Sequence, residues 1–414
     1  MSSLYNFAIY IYTLAIHVAS FFNSKAGLWR EGRKDIFLRI EEALITTGSV
    51  EKNRIAWFHC ASLGEFEQGR TMIEQFRSQF PEVKIFLTFF SPSGYEVRKT
   101  YQGADFIFYL PADTKKNAER FITLVHPELV FFIKYDFWYN YLAVLRRKNV
   151  PVYFISAIFR HDQYFFKWYG KWFRDQISSV RWFFLQDEDS AKLLSSIGIN
   201  SFSITGDTRF DRVDSIVHNL HSFPLVERFI GNSKVILGGS TWPADEQILF
   251  SSIKTSGDRV KYIIAPHETD VTRIASLVSQ LPLPCVKYSE LDENNAVHFR
   301  ILVIDCIGIL SHLYQYATVA YIGGGFGAGI HNILEAAAFG VPVIFGPEYS
   351  SFREAKELIS LGGAFSIKNA VTFNQTINHL LTDADDYART YDICRNYVQE
   401  KKGSTNKIMG KIHG

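Results

Sequence analysis

The sequence predicts an α/β protein of two domains, each built on a parallel β-sheet with helices between its strands. The chain has 414 residues, more than one ordinary core accommodates, so two domains of roughly 150–200 residues are expected. Short apolar runs alternate with helical segments from about residue 52, and the pattern restarts after a polar stretch near residues 211–233. Runs that are apolar throughout are typical of strands buried on both faces, as in parallel sheets.

The N-terminal segment precedes this pattern. From Leu4 to Phe22 there are 19 residues without Asp, Glu, Lys or Arg, just enough for a helix to cross a bilayer. The chain starts without charge, unlike a signal peptide, and basic residues follow the run, which favours a cytoplasmic position for the rest. We predict a single membrane anchor or a deep interfacial helix over residues 1–24; a buried core helix is the alternative.

Ten apolar runs are predicted to form the strands of the two sheets, and ligands of such sheets bind beyond the carboxyl ends of the strands. The domains are placed at residues 25–215 and 216–414, and the last helix is a candidate to pack back on the first domain. The runs are Ile55–His59, Lys84–Phe90, Phe106–Leu110, Leu129–Lys134, Val152–Ala157, Val235–Gly238, Tyr262–Ala265, Ile301–Ile304, Thr318–Ile322 and Val341–Phe345.

One segment, residues 164–174, mixes aromatic with basic side chains. It is interpreted either as a core helix with solvated lysines or as a helix that lies in a membrane surface near an anionic lipid substrate.

Composition excludes several classes of protein. The formal net charge is +2, so a nucleic-acid polymer is not expected as a partner. The four cysteines form no C-x-x-C pair and have no histidine at zinc-ligand spacing, so no metal site is predicted. They are interpreted as reduced, structural residues of a cytosol-facing protein.

A carboxylate motif follows the first predicted strand. Glu65 lies near a glycine at a strand-to-helix turn, and a helix N-terminus favours the ionised carboxylate that a general base needs. Because Ser62 and Glu65 also have the spacing of a capping box, simple capping is the alternative.

Two further charged residues are candidates. Asp136, just past another predicted strand, either caps the next helix or serves a site. Arg209 is suited to hold a sugar carboxylate or a leaving phosphate, although an isolated arginine is more often a surface ion-pair partner.

A glycine-rich turn in the second domain runs from Ile322 into a helix. Its bare amides, including those of Gly324 and Gly325, and the helix N-terminus are suited to phosphate oxygens. Glu335, one turn into the helix, is placed for a ribose hydroxyl pair. Tight packing of strand against helix is the alternative reason for the glycines.

Together these motifs resemble the bacterial 3-deoxy-D-manno-octulosonic acid (Kdo) transferases of lipopolysaccharide synthesis. The resemblance runs from the N-terminal segment to about residue 365. The motifs that carry it are Ser62-Leu63-Gly64-Glu65, Tyr109-Leu110-Pro111-Ala112-Asp113, Asp136-Phe137-Trp138, Thr205-Gly206-Asp207, Pro266-His267, His331-Asn332-Ile333-Leu334-Glu335 and Phe345-Gly346-Pro347.

The resemblance implies a GT-B fold, in which two Rossmann-like domains face a cleft, the first binding the acceptor and the second the nucleotide sugar. The implied reaction is inverting transfer of Kdo from CMP-Kdo to a lipid A precursor (lipid IVA) at the cytoplasmic face of the bacterial inner membrane, without metal or other cofactor. Glu65 is the implied base, and Asp136 and Arg209 stabilise the transition state. Contacts to CMP are implied for Pro266, His267, Ile307, Gly308, Ile309, Asn332, Ile333, Leu334 and Glu335.

The chain departs from the family at several of these positions. The family usually has Glu where Asp136 stands, Lys where Arg209 stands, Pro-Arg-His where this chain reads Ala265-Pro266-His267, and Glu near Ile309. Two other functions stay open: a GT-B transferase or epimerase that uses a UDP-sugar, and a membrane-bound sugar-binding protein without activity.

Overall fold

The computed structural model describes residues 2–46 and 54–412; Met1 and residues 413–414, which the predicted domain boundaries include, lie outside this range. The chain divides into two compact units, one of Met1–Arg212 with Lys402–Gly414 and one of Val213–Lys401. Within the described residues each unit carries one sheet of seven strands. The strand pairs of both sheets are parallel throughout the described residues, so the predicted α/β class with two parallel sheets is confirmed.

The first sheet has the order β3-β2-β1-β4-β5-β6-β7. β1 pairs with both β2 and β4, and His59 is opposite Phe132 in the second pair. The carboxyl ends of β1 and β4 therefore lie side by side. The strands are β1 Ile55–Cys60, β2 Lys84–Phe89, β3 Phe106–Tyr109, β4 Leu129–Ile133, β5 Val152–Ala157, β6 Trp182–Leu185 and β7 Phe202–Ile204.

Both faces of this sheet are buried, which is why its strands are apolar throughout. Trp57 and Phe132 belong to a cluster on one face, while Phe58 and Phe131 belong to a cluster on the other. The rings of Phe58 and Phe131 stack with centroids 4.5 Å apart. Each such side chain stabilises the fold by about 1.5–3 kcal/mol through removal from water.

Helices of the first unit cover the two faces of the sheet. They are α1 Ser2–Ala19, α2 Ser24–Glu31, α3 Ile36–Thr46, α4 Leu63–Gln79, α5 Pro92–Arg98, α6 Lys115–Val125, α7 Tyr139–Arg147, α8 Lys171–Ile177 and α9 Glu188–Ser196. The next helix, α10 Thr208–His218, crosses the boundary between the units.

The second sheet has the order β10-β11-β9-β8-β12-β13-β14, so β8 lies between β9 and β12. Its strands are β8 Lys234–Thr241, β9 Val260–Pro266, β10 Cys285–Lys287, β11 Ile301–Val303, β12 Val319–Ile322, β13 Val343–Phe345 and β14 Ala364–Ser366. The helices of this unit are α11 Pro224–Ile230, α12 Pro243–Thr255, α13 Val271–Gln280, α14 Leu310–Leu313, α15 Leu334–Ala338, α16 Arg353–Leu361, α17 Ala370–Thr382 and α18 Ala384–Lys401.

The chain then returns to the first unit through α19, Ser404–Ile412. Ile408 and Met409 of this helix are buried in the cluster that includes Phe58. Asp211 accepts hydrogen bonds from the Thr405 amide at 2.6 Å and from the Thr405 hydroxyl at 2.7 Å. The last helix is thus an integral part of the first unit.

The N-terminal segment forms two helices, α1 and α2, with a bend of 118° between them. In the described part of the chain no single helix is long and apolar enough to cross a bilayer. Taken together, the two helices of this bent pair have the length and the apolar composition of a membrane span. No residue of α1 is buried, so the core-helix alternative is wrong. Tyr5 nevertheless donates to Asp113 at 2.5 Å, and Asn140 donates to Asn6 at 3.1 Å, which hold one side of α1 against the unit.

The aromatic segment at residues 164–174 is not one helix, which corrects both interpretations made from its sequence. It forms a 3-10 turn at Tyr164–Phe166 and, after Gly170, the start of α8. Phe165 is buried, whereas Trp168 is 92% exposed. A Cβ at Gly170 would lie 2.1 Å from the Tyr164 carbonyl oxygen, so this glycine permits the tight turn that separates the two pieces.

Candidate active site

The loop after β1 places Glu65 in the first turn of α4. Ser62 is extended at the N-cap, and its hydroxyl donates to Glu65 Oε2. As far as the described residues go, the Ser62 side chain makes no capping bond to the backbone of α4, so the capping-box alternative is wrong. The serine instead holds the carboxylate itself.

Asp136 lies in the loop after β4, next to the end of β1. The loop begins at Lys134, whose φ of +71° is in the left-handed region that non-glycine residues rarely adopt. The Lys134 ammonium lies 3.8 Å from Glu65 Oε1. Glu65 and the Lys134–Asp136 loop therefore share one edge of the first sheet.

The carboxyl group of Asp136 has a pKa far above that of an ordinary aspartate. Burial raises its pKa to about 7, and the charge of Glu65 adds to the rise, while Lys134 and a hydrogen bond from the Ala61 backbone oppose it. Among the described residues, Asp136 Oδ2 is a buried oxygen without a hydrogen-bond partner. Such an oxygen is costly in a core, and a catalytic role is one of the explanations for its presence.

Arg209 is held by its neighbour Asp207 at the start of α10. Its Nε donates to Asp207 Oδ2 at 2.8 Å, and its backbone amide donates to Oδ1 at 2.9 Å. Asp207 is buried and also accepts from Gln68 Nε2 at 2.8 Å. Since Gln68 is three residues after Glu65 on α4, this helix links the base candidate to the arginine.

Cys60 ends β1 and is fully buried. Burial raises the pKa of its thiol well above the ordinary value, and the charges of Glu65 and Asp136 act in the same direction. It is therefore a structural thiol and not a reactive one. No disulfide joins it to the other three cysteines.

In the second unit, three aromatic rings stack beyond the ends of β8, β9 and β12. Trp242 stacks on His267 with centroids 4.7 Å apart, and His267 stacks on His331 at 4.4 Å. The Trp242 indole donates to His331 Nε2 at 3.0 Å. Burial, followed by the charge of His267, lowers the pKa of His331 to about 4, so this imidazole is neutral at pH 7.

The glycine-rich turn uses several of its amides internally. The Gly324 amide donates to Asp245 Oδ2 at 2.9 Å, and the Gly327 amide donates to the Gly324 carbonyl at 2.9 Å. A Cβ at Gly325 would lie 2.6 Å from the backbone nitrogen of Gly346. Close packing thus requires the glycine at position 325, and the phosphate role of Gly324 and Gly325 stays a prediction.

The remaining predicted nucleotide contacts lie at two places in the same unit. Asn332 accepts from the Leu334 amide and donates to Glu335 Oε1, both at 3.1 Å, which fixes the start of α15. Ile333 and Leu334 are buried, so only their backbone is suited to a ligand. The turn before α14 presents Ile307, which is 70% exposed, followed by Gly308 at φ +102° and by Ile309 at the N-cap.

The comparisons with known proteins agree with the resemblance inferred from the sequence. Residues 38–212 match the family model of the 3-deoxy-D-manno-octulosonic-acid transferases. A 3-deoxy-D-manno-octulosonic acid transferase of Haemophilus influenzae is 24% identical over 370 residues, covering 85% of each chain. One of Rickettsia bellii is 25% identical over 360 residues, covering 84% of this chain and 85% of that one. The chain is a glycosyltransferase related to the Kdo transferases.

Another relative of this glycosyltransferase has a longer chain. A bifunctional glycosyltransferase/methyltransferase of Fusobacterium nucleatum is 25% identical over 337 residues, which are 78% of this chain. The chain spans about half (52%) of the length of that relative.

Solved structures support the GT-B-like fold class of the glycosyltransferase. A UDP-GlcNAc 2-epimerase of Neisseria meningitidis has a TM-score of 0.60 at 15% identity, covering 87% of this chain and 99% of that one. A glycosyltransferase of Rickettsia africae has a TM-score of 0.57 at 13% identity, covering 86% and 97%. At such identities the likeness shows the fold alone.

Several residues that support the candidate site were not singled out from the sequence as site residues, although Asp207 belongs to one of the motifs quoted there. His59, Gln68 and Asp207 support the predicted residues of the first unit, and Trp242 supports His267 in the second. His59, Asp207 and Trp242 lie at or shortly after strand ends, which was an available signal, whereas Gln68 lies within α4. Within the described residues no cluster of three or more metal-binding side chains is found.

Proposed function

We propose that this glycosyltransferase moves Kdo from CMP-Kdo to a lipid A precursor, with Glu65 as the general base. The observation that carries the proposal is the arrangement of Glu65, Lys134 and Asp136 at one sheet edge. The family match supports it, since residues 38–212 include all three and Arg209.

Glu65 is suited to take a proton from an attacking hydroxyl. Its two oxygens face different partners, the Ser62 hydroxyl at Oε2 and the Lys134 ammonium 3.8 Å from Oε1. These two contacts fix the orientation of the carboxyl group in the first turn of α4, where it is placed to accept a proton. A positioned base of this kind contributes about 10²–10⁴-fold to the rate.

The reaction is a single displacement with inversion. The acceptor oxygen forms a bond to the anomeric carbon of Kdo while the bond from that carbon to the CMP phosphate breaks. The hydroxyl proton passes to Glu65, and CMP leaves as an anion. Arg209 supplies positive charge to the departing phosphate or to the Kdo carboxylate, with its guanidinium aligned by Asp207.

Asp136 has a different role from Glu65. With a pKa of about 7 and an unpartnered Oδ2, it is part protonated at neutral pH and offers a proton donor to a substrate oxygen. Two carboxyl groups whose environments differ in this way are typical of a base and an acid in one site.

The second unit binds the nucleotide in this proposal. The residues that contact the nucleotide are the stacked His267 and the backbone of Asn332 to Glu335. The positive end of α15 faces the phosphate, and the Glu335 carboxylate binds the ribose hydroxyls. Support comes from the position of these residues beyond the carboxyl ends of parallel strands.

The acceptor and the membrane belong to the same proposal. Helix α1 and the turn after it leave many large apolar side chains exposed, including Phe7, Leu14 and Phe22, the last of them 89% exposed. We place this apolar surface in the cytoplasmic leaflet of a bacterial inner membrane, where a lipid acceptor resides.

The test is transfer by the purified full-length chain in detergent. CMP-Kdo is supplied with a tetraacylated lipid A precursor, and the lipid product and free CMP are measured by mass spectrometry. We expect Kdo-modified lipid and equimolar CMP, and a loss of about 10²–10⁴-fold in Glu65→Gln with the affinity for CMP unchanged. Product from UDP-sugars but none from CMP-Kdo would reject this donor, and full turnover in Glu65→Gln would reject the base.

A further inference from the structure

His59 is a buried histidine beside the candidate site that the proposed reaction does not use. It lies in β1 and is 0% exposed. Its Nε2 lies 2.9 Å from Trp138 Nε1, and its Nδ1 lies 2.9 Å from Thr88 Oγ1. Every ring nitrogen of this histidine is therefore hydrogen-bonded.

These bonds fix the proton on one nitrogen. An indole N–H only donates, so His59 Nε2 accepts from Trp138 and carries no proton. Nδ1 then carries the proton and donates it to Thr88 Oγ1. That oxygen also accepts from the Trp57 indole at 2.8 Å.

A second proton on His59 has no place in this network. It would sit on Nε2, against the N–H of Trp138, and would leave that indole without an acceptor. The nearby charged groups are Asp136, whose Oδ2 is 3.9 Å from Nε2, and the Arg33 guanidinium. Burial, then the charge of Arg33, lowers the pKa of His59 to about 3, in agreement with the bond pattern.

Trp138 transmits the position of His59 to the loop that carries Asp136. The loop leaves β4 at Lys134 and reaches α7 directly after Trp138. The Trp138 ring packs on Phe90 at 4.6 Å as well as donating to His59. Asp136 therefore lies in a short loop that is fixed at one end by β4 and at the other end by Trp138, whose indole is hydrogen-bonded to His59.

We propose that His59 is a positioning residue of the transfer reaction, which holds Trp138 and thereby the backbone of Asp136. It stays neutral and takes no part in proton transfer. The inference rests on the proposed function, because it requires Asp136 to act on substrate.

The kinetic test is a double-mutant cycle with His59→Phe and Trp138→Phe. Each single change removes one partner of the bond and is expected to lower kcat about 10–100-fold, since small misplacements of a reacting group have effects of this size. The KM for CMP-Kdo is expected to stay unchanged. The kcat of the double variant is expected to equal that of each single variant, because each single change already breaks the bond between His59 and Trp138.

Two further variants separate positioning from stability and from base catalysis. Trp182→Phe removes another part-buried indole bond, the one to the Ser203 hydroxyl at 3.1 Å, which lies outside this network, and it is expected to lower Tm without lowering kcat. His59→Gln keeps an acceptor for Trp138 and is expected to recover most of the lost kcat with the wild-type pH profile. Additive losses in the cycle, or loss of a limb of the pH profile in His59→Gln, would overturn the proposal.

A readout without activity keeps this inference separate from the proposed function. In ¹⁵N-histidine NMR spectra of the full chain, the signal missing from His59→Gln should report an Nδ1–H tautomer that does not titrate between pH 5 and 8. An Nε2–H tautomer or a titrating ring would overturn the inference even if the chain transfers Kdo. If the wild-type protein shows the expected tautomer but transfers no Kdo, the proposed function is rejected, whereas the hydrogen bond between His59 and Trp138 is supported.

Discussion

The ammonium of Lys134 lies 3.8 Å from Glu65 Oε1 and also lowers the pKa of Asp136, so one cation serves two carboxyl groups. Lys134 reaches this position from a left-handed backbone at φ +71°, a strained conformation that is concentrated at functional sites. The charge state of Asp136 therefore depends in part on the residue that directly follows β4.

Replacement of Lys134 by Met should raise the pKa of Asp136 above its present value of about 7, because the opposing cation is gone. The limb of the pH–rate profile that reports the titration of Asp136 should move to higher pH, and kcat should fall. Lys134→Arg is the matched control, since it keeps the charge and should keep the limb near its original pH. An unshifted limb in Lys134→Met would separate Lys134 from Asp136.

Asp136 is expected to lower stability at alkaline pH. Its pKa is raised from 3.8 to about 7, so the folded protein keeps a proton that the unfolded chain releases. Folding stability therefore falls as pH rises between these values, and above about 7 the full cost of the buried anion remains. Asp136→Asn should raise the free energy of unfolding at pH 8 by about 1–3 kcal/mol and change it little at pH 4.

Urea unfolding at the two pH values measures this effect, and Asp105 supplies a control of opposite sign. Burial raises the pKa of Asp105, but the Ile85 amide, Arg77 and Lys84 bind its carboxylate and together hold the pKa below the ordinary value. Asp105→Asn should therefore destabilise the protein at pH 8. A stability gain in Asp136→Asn that is equal at both pH values would point to packing instead of charge.

Arg33 is expected to be a main support of the N-terminal helices. Its guanidinium donates to the Leu110 and Phe90 carbonyls, each at 2.9 Å, and lies 3.9 Å from the centroid of the Trp29 ring. Arg33→Ala should lower the free energy of unfolding by about 2–4 kcal/mol, since it leaves buried carbonyls without donors. Arg30→Ala, which loses one bond of 3.3 Å to Ser20, is the control and should cost less than half as much in the same urea titration.

Position 325 should not tolerate a side chain. A Cβ there would meet three backbone atoms of Gly346 at 2.6–2.9 Å, none of which is a flexible side-chain end. Gly325→Ala should destabilise the second unit by about 3 kcal/mol. Gly327→Ala meets its nearest atom at 3.6 Å and should leave Tm within a few degrees in calorimetry. Equal Tm values would contradict the packing role of Gly325.

The ten strands predicted from apolar runs all form, because burial on both sheet faces leaves a plain hydrophobic signal. Three of the four missed strands, β7, β10 and β14, are sheet edges of three residues each. β11 and β13 are equally short but lie within longer apolar runs, whereas each of these three strands contains a polar residue, Ser203, Lys287 or Ser366. The fourth missed strand, β6 at Trp182–Leu185, is as apolar as the ten predicted strands and could have been predicted in the same way.

Of the candidate site, the sequence indicates the residues at strand ends but not what holds them. The bond of Gln68 to Asp207 joins positions 139 residues apart, and that of Trp138 to His59 joins positions 79 apart. No local pattern encodes such pairs. The motif that ends in Asp113 likewise gains its meaning only in three dimensions, where its carboxylate accepts from the Asn140 and Tyr141 amides at the start of α7.

The return of the chain through α19 makes the second unit an insertion within the first. Residues 213–401 therefore form one contiguous segment, which begins within α10. A truncation before residue 404 would instead strip Ile408 and Met409 from the core beneath α4, the helix that carries Glu65. Deletion of the last helix is thus expected to disturb the helix of Glu65, the proposed base, from the far end of the sequence.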